Sequence, residues 1–132
     1  MANEATLIVE ETIPLNFTCA DGAGIEKGTL LKIADLNTVS ATSADGDYFI
    51  GVAAEEKIAS DGNTSIAVYT QGIFKMTDAG AGFTAGTMLK VNGANLVATA
   101  DEAGAQSAAQ FVGKALETAG AGDTALVKIG GL

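Results

Sequence analysis

The stretch GAGIEKGTLLKI at residues 22–33 returns 58 residues later as GAGFTAGTMLKV at 80–91. Seven of the twelve positions are identical, and three of the others exchange one apolar side chain for another. FIGVAAE at 49–55 likewise matches FVGKALE at 111–117, with Phe, Gly, Ala and Glu in the same places. An Asp/Gly turn and a strand-like run follow each, SIAVYTQGI in the first case and TALVKIGGL in the second. A phosphate loop or an active site is needed once, whereas a piece of framework can be used twice. The chain therefore reads as an N-terminal arm, 1–14, and a single β domain, 15–132, made of two homologous halves at about 20–74 and 78–132. A solenoid needs at least three stacked units, so this is one tandem duplication.

Short strands are predicted throughout. They are TLIVE (6–10), PLNFTC (14–19), TLLKIA (29–34), TVSAT (38–42), YFIGVAA (48–54) and SIAVYT (65–70), then IFKMT (73–77), TMLKV (87–91), NLVATA (95–100), FVGKAL (111–116) and TALVKI (124–129). The turn signals ADGAG, SADGD, SDGN, DAGAG, NGAN and AGAGD separate them. This spacing predicts an all-β fold, a compact β-barrel or β-clip-like sandwich built from the two tandem halves. One segment, DEAGAQSAAQ at 101–110, has the composition for a helical turn, weakened by Gly104. Alternation puts Thr29, Leu31 and Ile33 on one face of their strand and Leu30 and Lys32 on the other, and Thr87–Val91 repeats the pattern. Gly28 and Gly86 each precede a strand, where a sharp turn with positive φ favours a residue without Cβ. Gly51 and Gly113 sit inside strands, the mark of a bulge or of another backbone passing close. Two such halves, related by a pseudo-twofold, can share one core of Leu, Ile, Val and Phe; whether they pair side by side in one barrel or stand as two linked lobes is left open by the sequence.

At 132 residues the chain can bury roughly two thirds of its unfolded surface. An apolar fraction of 48% with 17% charged residues marks a folded protein. Seven Lys, no Arg and sixteen carboxylates give a net charge of −9. The absence of Arg argues against nucleic-acid binding, and the acidity against an anionic membrane surface. No apolar run is long enough to span a bilayer. MANEATLIVEE lacks the basic and apolar regions of a secretion signal, so synthesis in the cytoplasm is expected.

Little in the chain points to catalysis. There is no His, and the one cysteine, Cys19, alternates with Asn16 and Thr18 as a small buried apolar residue would. GAGIEKG runs into a strand, whereas phosphate loops need a helix N-terminus behind them. Glu10–Glu11 and Glu55–Glu56 are adjacent, so strand geometry points each pair to opposite faces. Asp45-Gly46-Asp47 reads as a hairpin turn, with a structural Ca²⁺ as the other reading. Lys27 and Lys57 have no neighbour type that would depress a pKa. Tyr48 and Tyr69 are too few for a stacking platform. No cofactor and no metal are expected.

The residues IEKGTLLKI (25–33), DGDYFIGVAAEEK (45–57), IAVYTQGIFKM (66–76) and AGTMLKVNGANLVATAD (85–101) carry a resemblance to the small decoration, or cement, proteins that coat the heads of tailed bacteriophages. The second half is also similar in layout to the lambda head decoration protein. The departure is the duplication, since the lambda-type protein corresponds to one unit. The resemblance implies a non-enzymatic head protein on the capsid exterior of a virion. Its partner would be the major capsid protein, and it would act as a homotrimer that staples neighbouring capsomers. The arm has two readings. It is either the ordinary first strand of the barrel or an extended strand added to a capsid or sister-subunit sheet through Ala2, Asn3, Glu4, Leu7, Ile8 and Val9. A host-glycan or receptor-binding module on a tail or fibre, and a β-clip nucleotide hydrolase, are the alternatives from other functional classes.

Overall fold

A computed structural model describes residues 3–34, 37–100 and 110–130. Each of the eleven expected runs forms a strand. In the N-terminal portion these are β1 Thr6–Glu10, β2 Leu15–Cys19, β3 Leu30–Ile33, β4 Thr38–Ala41, β5 Phe49–Ala53 and β6 Ser65–Tyr69. The remainder are β7 Gly72–Asp78, β8 Met88–Val91, β9 Leu96–Thr99, β10 Phe111–Ala115 and β11 Thr124–Ile129. The helical turn considered at 101–110 lies almost wholly outside the described residues.

The strands close into two five-stranded barrels in tandem. The first runs β2-β4-β3-β5-β6 and the second β7-β11-β10-β8-β9, closed by the β7–β9 pairing. Their wiring is the same. The first strand of each meets its last strand antiparallel and the outer strand of its hairpin parallel. The match extends to single bonds: Cys19 N–H donates to Thr64 O as Asp78 N–H does to Asp123 O. The isolated bridge Ile25–Lys57 likewise has its counterpart in Phe83–Ala119. Glu55 caps Ala67 N–H, and Glu117 caps Leu126 N–H in the same manner.

The sequence left open one shared barrel or two linked lobes, and the structure has two cores joined by a seam. Leu31, Val39, Ile66 and Val68 fill the first barrel. Phe74, Met76, Leu89, Val91, Val97, Val127 and Ile129 fill the second, which also gathers Leu30 and Val52 from the outside of the first. Barrels this small close on their own inward side chains, so each half makes its own core. Leu30, on the outward face of β3, is buried only because the second barrel covers it.

Polar groups fix the seam. Leu30 N–H donates to Asn95 Oδ1 at 2.9 Å, and Asn95 N–H donates to Thr42 Oγ1 at 3.3 Å. Gly46 N–H reaches Val91 O at 2.9 Å, and Lys90 pairs with Asp45 at 2.8 Å. Asn95 is buried with φ of 60°, a conformation that Asn tolerates better than most residues.

Gly28 and Gly86 have φ of 89° and 93°. At Gly51 and Gly113 an added Cβ would stand 2.2 Å from Tyr69 O and 2.0 Å from Lys128 O, and each glycine lies beside a register shift, against β3 for Gly51 and against β8 for Gly113. The last strand of each barrel thus passes so close to these glycines that no side chain fits between.

Within the expected arm, residues 6–10 form a strand. Thr6–Glu10 pairs antiparallel with β7 and extends the second barrel's sheet, although the first barrel follows it in the chain. Ala5 N–H is tied to Gly28 O at 2.7 Å, which anchors the start of the strand between the barrels.

Candidate functional site

Strands β1 and β2 run as one bent ribbon against β7 and β6. The register passes from Leu7–Phe74, Val9–Ile73 and Glu10–Gly72 to Leu15–Val68 and Thr18–Ser65. It slips at Ile8, a bulge, and again over residues 11–14 as the ribbon crosses from the second barrel to the first. On its other side β4 covers only Thr18 and Cys19. Among the described residues, 6–16 have no strand partner on that side.

This open edge is apolar as well as unpaired. Ile8 is 49% exposed, Val9 45%, Ile13 76% and Leu15 49%. Exposed edges are commonly blunted by Lys, Pro or bulges. Here the Ile8 bulge and Pro14 interrupt the edge, and no Lys lies on 6–16. Asn3 is exposed with φ of 66°, and Glu4 reaches Asn95 Nδ2 at 3.5 Å. Leu7 is half-buried and packs on the second core, leaving Ile8 and Val9 to face outward. Ala2 lies outside the described residues. Ile13 and Leu15 belong to the same edge and were not picked out in the sequence. Their alternation with Pro14 and Asn16 was the available signal, obscured by reading 14 as the boundary of an arm.

The edge is acidic. Glu11 pairs with Lys128, and Glu10 lies at the Tyr69 hydroxyl, whose pKa is raised by burial and then by that carboxylate. Residues 1–70 hold eleven of the sixteen carboxylates and three of the seven lysines, hence −8 of the net −9.

The candidate chemical groups are absorbed into structure. Asp47 Oδ2 accepts from Ser43 N–H and Ala44 N–H, Asp45 pairs with Lys90, and the Asp45–Asp47 turn carries the seam. Cys19 is buried, and burial pushes its thiol pKa up. Tyr48 is exposed, while Tyr69 packs against Phe74 at 5.7 Å between ring centres. Among the described residues no three His, Cys, Asp or Glu side chains gather as a metal site would require.

Two polar plugs close matching ends of the barrels, one centred on a lysine and the other on a carboxylate. In the first, buried Lys57 Nζ donates to Asp61 Oδ1 at 2.7 Å, to Ile58 O at 2.6 Å, and to Asp21 O and Oδ1 at 3.0 and 3.1 Å. In the second, Asp78 stands where the first barrel has Cys19. Its Oδ2 accepts from the N–H groups of Gly82, Gly80 and Gly122 at 2.7, 2.9 and 3.0 Å.

Burial pulls the Lys57 pKa down, but its bonds to Asp61 and Asp21 outweigh this and the net shift is upward. Burial likewise pushes Asp78 up, and the backbone N–H donors more than reverse it. Asp61 is held low by Lys57 first and by Asn63 N–H second.

These shifts set a pH profile. The Lys57 contribution is complete below the ordinary lysine value of about 10.4 and is lost as pH rises through the higher folded value. The Asp61 and Asp78 contributions are complete above about 3.9 and are lost as pH falls through their lower folded values. Urea unfolding is expected to show greatest stability at about pH 5–9, with an acid limb below about pH 4. Lys57→Met should destabilise the protein at neutral pH and remove its share of the alkaline limb. An alkaline limb identical in the two proteins would contradict the plug.

No curated protein matches the chain. The family model described as phage cement protein matches residues 9–130, which takes in both barrels, the seam and most of the open ribbon. The chain belongs to the phage cement protein family, a capsid-associated structural family.

Proposed function

We propose that this protein binds the outer surface of an assembled capsid and cements neighbouring capsomers, with the major capsid protein as its partner and three copies acting together. The role is structural, with no reaction, cofactor, nucleic acid or membrane involved. The observation that carries this reading is the unpaired edge of β1, where Ile8 and Val9 face outward on a sheet that can accept another strand. Main-chain bonding at such an edge supplies affinity, and the alternate side chains supply specificity. Asn3, Glu4 and Leu7 place the strand, with Ala2 before it, and a cleft lined by Glu4, Ala5, Thr6, Leu7 and Lys27 flanks its start. Each copy needs only a modest interface, because contacts around a ring reinforce one another through effective concentration.

The test is to remove the protein from phage heads and measure their thermal or osmotic rupture. Stripped heads should rupture under milder conditions and regain resistance when the purified protein is added back. The double substitution Ile8→Lys and Val9→Lys should restore less, since both side chains are exposed in the free protein and their loss costs the fold little. Full protection by the double variant, or heads equally robust without the protein, would contradict the reading.

A further inference from the structure

The two barrels use the same wiring, yet one place that carries a strand in the second carries none in the first among the described residues. β7 pairs with β11 as β2 pairs with β6, with Phe74 opposite Val127 and Leu15 opposite Val68. Residues 72–75 of β7 therefore correspond to 13–16 at the start of β2. In the second barrel the outer edge of 72–75 carries β1, an extended segment running antiparallel with Leu7 packed on the core. In the first barrel the outer edge of 13–16 carries no strand among the described residues, and Ile13 and Leu15 lie exposed there.

Register fixes which groups are available. Cys19 N–H points to the β6 side, so by alternation Leu15 and Phe17 bond to β6 while Asn16 presents its N–H and C=O outward. Pro14 offers only its carbonyl. It occupies the position of Ile73, so the ladder here has one donor fewer than its counterpart. The place is continuous with the open edge of β1. Near it in the chain are Glu10, at the Tyr69 hydroxyl, and Glu11, paired with Lys128, and residues 1–70 together carry −8 of the net −9.

We infer that residues 13–16 form a second strand-accepting site, filled on the phage head by an extended segment of the capsid protein. The segment runs antiparallel to β2, as β1 does to β7. It presents an apolar side chain in the Leu7-like position over Ile13 and Leu15, and basic residues toward Glu10 and Glu11. Opposite charge favours such a segment over a second copy of this acidic chain. The inference rests on the capsid-binding reading above and adds to it a site, a direction and a chemistry.

The experiment uses the full chain and capsid shells stripped of it, with amide hydrogen exchange read on the free and shell-bound protein. The Asn16 amide should exchange markedly more slowly when bound. Asn16→Pro removes that donor while sparing the bonds to β6, and Leu15→Lys places a charge at a half-exposed position. Each should weaken shell binding by about tenfold, the equivalent of about 1.4 kcal/mol, with the unfolding temperature little changed. If one variant unfolds, exchange at Asn16 in the wild type still decides. An Asn16 amide that exchanges equally fast when bound overturns this site but leaves capsid binding intact. Protection already present in shell-free protein, growing with concentration, overturns it in favour of a second copy. A chain that never binds shells refutes the capsid reading itself.

Discussion

Asp78→Ala is expected to lower the unfolding free energy by about 3–5 kcal/mol, among the largest losses any single substitution should cause in this chain. Three backbone N–H groups, those of Gly80, Gly82 and Gly122, converge on one buried carboxylate oxygen. Truncation leaves the donors of two loops without an acceptor, at about 1–3 kcal/mol for each that stays buried. Asp78→Asn keeps the shape and an acceptor oxygen, so its loss at neutral pH should be smaller. It should also remove the Asp78 share of the acid limb, because the group no longer titrates. Urea unfolding at pH 7 and pH 3 measures both effects. A loss below about 1 kcal/mol for Asp78→Ala would show that the loops hold without the carboxylate.

Gly113→Ala should be comparably severe for a steric reason. The new Cβ would sit 2.0 Å from Lys128 O and 2.8 Å from Lys128 C, so β11 must move or β10 must give up its pairing. Backbone cannot swing aside as the end of a flexible side chain can. A loss of about 3 kcal/mol or more is expected, on the order of 10 °C in unfolding temperature. Gly22→Ala is the control: nothing lies within 4 Å of its added Cβ and its φ is not in the left-handed region, so it should stay within about 0.5 kcal/mol of wild type. Similar losses for the two variants would mean that close passage is not what Gly113 serves.

The two variants test different readings of one architecture. Gly113 lies where the two barrels use the same device, since Gly51 meets Tyr69 O as Gly113 meets Lys128 O. Asp78 lies where they diverge. The first barrel has Cys19 in that position and closes its end with Lys57 between Asp21 and Asp61. Equivalent backbones thus carry plugs centred on groups of opposite charge, a lysine between two aspartates in the first and an aspartate in the second. Each plug is local only in part: Lys57 meets Asp61 four residues on and Asp78 meets Gly80 and Gly82, but Lys57 meets Asp21 across 36 residues and Asp78 meets Gly122 across 44.

The strands were legible because each is a short alternating run bounded by Gly and Asp, and turn chemistry acts locally. The relation between N-terminal strand and barrel was not. Nothing in TLIVE says that it pairs with β7, 62 or more residues away, rather than with the barrel it precedes or with another molecule. The open edge was legible only in part: Leu7, Ile8 and Val9 were marked, while Ile13 and Leu15 were hidden by a boundary drawn at Pro14.

The sequence by itself determined an acidic all-β chain, written twice, with strand and turn positions set by side-chain alternation and by residues that tolerate unusual φ. These are short-range preferences, complete within a few neighbouring residues. Tertiary structure decided that each half closes on its own core, that Leu30 and Val52 are buried between barrels, and that residues 6–16 keep an edge with no strand partner among the described residues. Burial and strand pairing depend on which distant segment arrives alongside, and main-chain hydrogen bonds are the same for every partner. Local sequence therefore cannot say which edge will be left open.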